Sequence, residues 1–108
     1  MTLKAGVDML KKIDDKTTKN LAKAFVAINT EEECLKFLSD LCTISEIKAM
    51  AQRLEVAYML DNGKVYNDIA AKTAASTATI SRVNRALNYG EDGYRIVIDK
   101  LGKELSDE

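Results

Sequence analysis

Ile44, Ile47, Ala51, Leu54 and Tyr58 recur at intervals of 3, 4, 3 and 4 residues, and the run stops at Asp61-Asn62-Gly63. That spacing keeps every apolar side chain on one narrow stripe of an α-helix. In a strand, where side chains alternate between faces, the same residues would scatter over both sides. So narrow a stripe wants another helix laid along it, and the segment therefore predicts both a long helix and a helical partner. The rest of the chain agrees: its 108 residues include no proline and five scattered glycines, so nothing in the composition breaks helices repeatedly. The expected fold class is all-α, a single domain over residues 1–108. A domain of this size buries a modest share of its surface and is often stabilised by association.

Six helices are expected. Leu21, Ala24, Phe25 and Ile28 share a helical face, with a looser set at Leu3, Val7 and Leu10 before them, which predicts one long or broken N-terminal helix. Asn29 or Thr30 then caps a second helix over 31–41, where three glutamates in the first turn complement the helix dipole. Its expected buried face is Cys34, Leu35, Phe37, Leu38 and Leu41. The stripe from Ile44 to Tyr58 is the third helix. A short fourth covers 66–72, a fifth covers 76–88 and closes at Gly90, and a sixth covers 91–105 with Tyr94, Val97, Ile98, Leu101 and Leu105 on one face.

Several function classes drop out. The chain has no histidine and no glycine-rich phosphate loop, and its acids are not paired within apolar surroundings, so an enzyme is not expected. Cys34 and Cys42, eight apart in apolar segments, fit buried thiols rather than a disulfide or metal site, and suggest a reduced, cytoplasmic protein. No apolar run approaches the roughly 18 residues of a membrane span, and no cofactor is called for.

The net charge of −1 hides a gradient. Residues 63–90 carry four basic and one acidic side chain, residues 1–62 carry nine and ten, and residues 91–108 carry three and six. The one basic stretch contains "NDIAAKTAASTATISRVNRAL", which has the layout of a helix, a tight turn and a second helix, about residues 66–88. Ile69, Ala70, Ile80 and Val83 sit at the offsets by which two such helices pack, and Ala74 takes the turn position often given to glycine. Ser76 is placed to cap the second helix, leaving Thr77, Ala78 and Thr79 on its opening turn. Small hydroxyl and methyl side chains there can approach base edges in a major groove. Lys64, Lys72, Arg82 and Arg85 can meet phosphates. Helix pairs of this shape also serve as protein-docking modules, and an interaction module of the transcription machinery is the alternative reading. Salt separates the two, because only phosphate contacts weaken steeply with ionic strength.

"TISEIKAMAQRLEVAYMLDNGK" followed by "IAAKTAASTATISRVNRAL" resembles the Trp repressor family, in particular its YerC/YecD branch, over about residues 20–103. Thr43 before the third helix, Arg53 within it and the "ATISR" string from Ala78 to Arg82 carry the likeness. The resemblance implies an intertwined homodimer that binds double-stranded DNA as a regulator, usually a repressor. It places Thr77, Ala78 and Thr79 on base edges, and Ser81 and residues near Asn67 on phosphates or bases. It also implies an effector pocket in which tryptophan lies between Arg53 and Arg82, its amino end held by Thr43. Where the family has a glycine after the second arginine this chain has Val83, and a pocket serine is replaced by Ala86. An isopropyl group there should fill the cavity or clash with an indole ring, so tryptophan is not the expected corepressor. A different effector, or none, stays open. Without the likeness, Arg53 and Arg82 would be expected to pair with Glu55 or Glu46, or to contact phosphate.

Overall fold

A computed structural model describes residues 5–106, with side chains from residue 9 onward. Its helices are α1 (Ala5–Lys12), α2 (Lys16–Ala27), α3 (Glu31–Leu41), α4 (Ile44–Asp61), α5 (Tyr66–Thr73), α6 (Thr77–Tyr89) and α7 (Gly93–Leu101), followed by a 3-10 turn at Gly102–Leu105. No strand occurs among the described residues. The all-α expectation holds; of the two forms expected for the N-terminal segment the broken one is found, and the last helix spans Gly93–Leu101 in place of the expected 91–105. The N-terminal helix is broken, because Asp15 starts α2 afresh: its carboxylate accepts from the Thr18 amide at 2.7 Å and from the Thr17 and Thr18 hydroxyls at 2.8 and 3.0 Å. The last helix ends early, because Gly102 turns to φ 52° and the next residues tighten into the 3-10 turn. Leu3 and the side chain of Val7 lie outside the described residues.

Side-chain caps also fix the starts of α3 and α4. Thr30 caps α3 by accepting from the Glu33 amide. Thr43 and Glu46 form a reciprocal capping box at α4: the Thr43 hydroxyl accepts from the Glu46 amide at 3.1 Å, and Glu46 Oε1 accepts from the Thr43 amide at 2.7 Å. The Thr43 amide first, and the Thr43 hydroxyl after it, favour the charged form and hold the Glu46 carboxyl below its ordinary value.

Val56, Ala57, Ile69, Ala75, Ile80, Val83, Leu87 and Ile98 form the core. They come from the second half of α4, from α5 and the turn after it, and from α6 and α7. Tyr58, Tyr66, Tyr94 and Leu105 pack against its edge. The last turn of α6 comes so close to the chain leaving it that a Cβ on Gly90 would collide with the Ala86 carbonyl oxygen.

The N-terminal helices contribute nothing to this core. α2 and α3 bury no residue, which corrects the expected burial of the second helix: Leu35 and Leu41 are exposed, and Cys34, Phe37 and Leu38 are half-buried. The cysteines, expected as buried thiols, are both half-buried and free. The α4 stripe is equally uncovered at its start, with Ile44 exposed at 77% and Ala51 also exposed. On α7, Val97 and Leu101 are exposed while Ile98 is buried. The physical reason is that among the described residues these apolar faces are only partly covered by other helices of the same chain. The radius of gyration, 14.9 Å, exceeds the roughly 13 Å of a compact chain of this length, as extended arms require.

Candidate nucleic-acid interface

The turn between α5 and α6 is built from backbone and two polar side chains. Ala74 takes the left-handed conformation, φ 61° and ψ 14°, and its amide donates to the Ala70 carbonyl. A residue with a Cβ rarely adopts that geometry, and its neighbours hold it there. The Thr73 hydroxyl donates to the Ile69 carbonyl at 2.8 Å and accepts from the Ala75 amide at 3.1 Å. Gln52 on α4 donates to the Thr73 carbonyl at 3.0 Å, tying the turn to the helix beneath. Ala75, buried, is the small residue on which the two helices close. Neither Thr73 nor Gln52 stands out in the sequence. A hydroxyl four residues after Ile69 at a helix end is a usable signal for the first, whereas a partner 21 residues away leaves none for the second.

Ser76 starts α6 as expected. Its Oγ accepts from the Thr79 amide at 3.1 Å and donates to Thr79 Oγ1 at 3.0 Å, so Thr79 is half-buried and turned toward the cap. Ser76, Thr77, Ala78, Ser81, Arg82 and Arg85 are exposed, as are Asn67 and Lys64. Ile80, Val83 and Leu87, at i, i+3 and i+7, point inward, which forces the remaining positions outward. No acid interrupts residues 77–89. The tip therefore presents methyl and hydroxyl groups, amides with no intrahelical acceptor, and two arginines further along. Lys72 is placed differently: its Nζ lies 3.4 Å from Glu55 Oε2, in a cleft between α4 and α5 that it shares with Asp68 and Lys64.

The residues expected at the effector pocket separate in the single chain. Val83 is buried in the core at 2% exposure. Arg82 and Ala86 line an open cleft of about 710 Å³ with Leu54, Tyr94 and Met9. Thr43 caps the start of α4, and ten residues of helix, about 15 Å at 1.5 Å per residue, separate it from Arg53. The expected pairing of the arginines with Glu55 or Glu46 does not occur: Glu55 holds Lys72 and Glu46 caps α4, because both acids already have nearer partners. Among the described residues no group of acids or cysteines could hold a metal, and no helix is long and apolar enough to cross a membrane.

Comparison with known proteins fits this geometry to a family. The profile of the Trp repressor protein family matches residues 7–102. The chain belongs to the Trp repressor family. Within that family of all-helical DNA-binding regulators it falls in the YerC branch. It is 49% identical to the uncharacterised protein YerC of Bacillus subtilis strain 168 over 90 residues, 83% of this chain and 86% of the relative. A TrpR-like protein from Eubacterium eligens superimposes with a TM-score of 0.82 at 49% identity, covering 85% of this chain and 95% of the other. A provisionally named Trp repressor from Staphylococcus aureus gives 0.81 at 40% identity, covering 85% and 92%. The Trp repressor fold thus accounts for the helix-turn-helix formed by α5 and α6 and for its rigid seat on α4.

Proposed function

We propose that this Trp repressor family member is a sequence-specific transcriptional regulator, acting as a repressor, that binds a palindromic operator as a homodimer without tryptophan. The observation that carries the proposal is the exposed, acid-free tip of α6, where Thr77 and Ala78 stand free and the chain behind them is anchored by Ser76, Thr73 and Gln52. Base edges are read by Thr77, Ala78 and Thr79, while Ser81, Arg82, Arg85, Asn67 and Lys64 meet phosphates. Dimerisation is supported by the uncovered apolar faces of α2, α3 and early α4. A two-fold dimer places its half-sites about one DNA turn, roughly 34 to 36 Å, apart. Tryptophan is disfavoured because the resemblance puts Val83 where the family has the glycine that leaves room for the indole, and Val83 is a fixed core residue here, 2% exposed.

Selection of binding sites from fragmented genomic DNA, at physiological salt without ligand, tests the proposal. One or a few palindromes are expected. A folded, dimeric protein that enriches no sequence refutes effector-free binding, and binding that ignores ionic strength favours the protein-docking alternative. Thr79→Val should cost about 1–3 kcal/mol of discrimination at one base position if its hydroxyl contacts that base directly, and less through water. Arg85→Ala should instead weaken binding evenly across sequences.

A further inference from the structure

Arg95 lies on α7, outside the helix-turn-helix, yet its guanidinium joins two other helices. Nη1 donates to Asp61 Oδ1 at 3.0 Å, at the end of α4, and Nη2 donates to Asn88 Oδ1 at 3.3 Å, on the last turn of α6. Asn88 carries the chain of bonds onward, since its Nδ2 donates to both the carbonyl and the side-chain oxygen of Asn84 at 2.9 Å. A continuous polar strap, Asp61 to Arg95 to Asn88 to Asn84, therefore crosses from α4 through α7 to α6. A planar fork with several donors suits this task, because it can satisfy acceptors on two elements at once.

Such a strap contributes little to overall stability, because the Arg95 and Asp61 side chains are 42% and 33% exposed and exposed ion pairs are weak. Its value is directional. Ile80, Val83 and Leu87 set how closely α6 approaches the core and its approximate crossing angle, but such packing leaves a spread of about 15–20°. Hydrogen bonds at the two ends of the helix narrow it. Ser76, Thr73 and Gln52 fix the N-terminal end and Arg95 fixes the other. From Thr77 to Asn88 is about 16 Å along the helix, so with the N-terminal end held, a tilt of about 10° carries Asn88 roughly 3 Å, the length of a hydrogen bond, and turns the side chains of Thr77 and Ala78 through the same angle.

We propose that Arg95 is a positioning residue for DNA reading: by bridging Asp61 and Asn88 it holds α6 at its binding angle without a small-molecule effector. The inference rests on the DNA-reading function proposed for this chain. An effector selects one orientation of a mobile helix by binding it better, and an internal clamp biases the same equilibrium within the chain.

The test measures operator and non-specific DNA affinity for Arg95→Ala, Arg95→Lys and Asp61→Ala. Arg95→Ala should weaken operator binding about tenfold while non-specific binding stays within about threefold and the dimer and thermal midpoint are retained. Arg95→Lys keeps the charge but not the fork, and should lose most of the same operator affinity. Asp61→Ala separates the clamp from simple electrostatics. Removing a negative charge should by itself tighten DNA binding, whereas loss of the clamp weakens operator binding. Parallel changes in operator and non-specific affinity, or a tighter operator complex for Asp61→Ala, overturn the proposal. Residual dipolar couplings of the free protein judge the clamp without DNA: Arg95→Ala should change the orientation or order of α6 relative to α4. Unchanged couplings overturn the clamp, whereas a wild type that enriches no operator sinks the DNA-reading function and leaves the couplings to decide the clamp.

Discussion

The helices α5 and α6 and the helices α2 and α3 are all short segments with an apolar face, yet they end in opposite states. Ile69, Ile80, Val83 and Leu87 are at most 4% exposed, whereas Val26 is 82% exposed and Leu35 58%. Capping does not make the difference, because α2 and α3 both have side-chain caps while the buried α5 starts at Val65 without one. The presence of a surface to pack on separates them: α4 turns Val56 and Ala57 toward α5 and α6, whereas among the described residues α2 and α3 bury no side chain. The contrast shows that an apolar stripe fixes which side of a helix is to be covered and leaves open whether the same molecule covers it. Phe25 and Phe37 meet edge to face at 5.2 Å, so the arm has local order of its own without a core.

The division can be pressed from both sides. Ile80→Ala should lower stability by about 2–5 kcal/mol, as loss of a fully buried isoleucine does, read by urea unfolding; a loss below about 1 kcal/mol would mean that the core lies elsewhere. Leu35→Ala should leave the helical content of α4–α7 intact but raise the dissociation constant of the dimer about tenfold or more, since a covered leucine is worth about 1.5–3 kcal/mol. Sedimentation equilibrium checks it, and unchanged association would remove the arm from the interface. Ala74→Gly should stabilise by up to about 1 kcal/mol, because relief of a left-handed alanine, about 1–2 kcal/mol, outweighs the added chain entropy of glycine; a lowered thermal midpoint would contradict it. The smallest effect belongs to Glu46. Its carboxyl is held below its ordinary value of 4.5 by the Thr43 amide and then the Thr43 hydroxyl. The contribution is therefore present above about pH 4.5 and fades as pH falls through the lower folded value. The thermal midpoints of wild type and Glu46→Gln should converge in acid, and a gap that stays constant below about pH 4 would contradict the capping role.

Helix positions were legible because their signals are local. Thr30, Thr43 and Ser76 announce α3, α4 and α6 within a few residues, and Asp61-Asn62-Gly63 announces an end. The break at Asp15 was legible in principle, since an acid followed by two threonines at Thr17 and Thr18 is a capping pattern, but the apolar residues on either side suggested continuity. Burial was less legible. On α4 the regular stripe ending at Tyr58 is the conspicuous feature, while the face that enters the core belongs to Val56 and Ala57. The tip of the candidate interface could be read from composition and capping alone. Lys72 could not, because its bond to Glu55 spans 17 residues, nor could Arg95, whose acid partner is 34 residues away.

The exposed arm also has a consequence in time. A chain leaves the ribosome N-terminus first, at about 5–20 residues per second, so α2 and α3 emerge before any residue of the core that will form from Val56 to Ile98. For several seconds this apolar arm stands outside the tunnel while the core that follows it is still being made. Nascent chains on one messenger present that arm to one another at high local concentration, and pairing between neighbours on the same transcript can begin before either reading helix has been made.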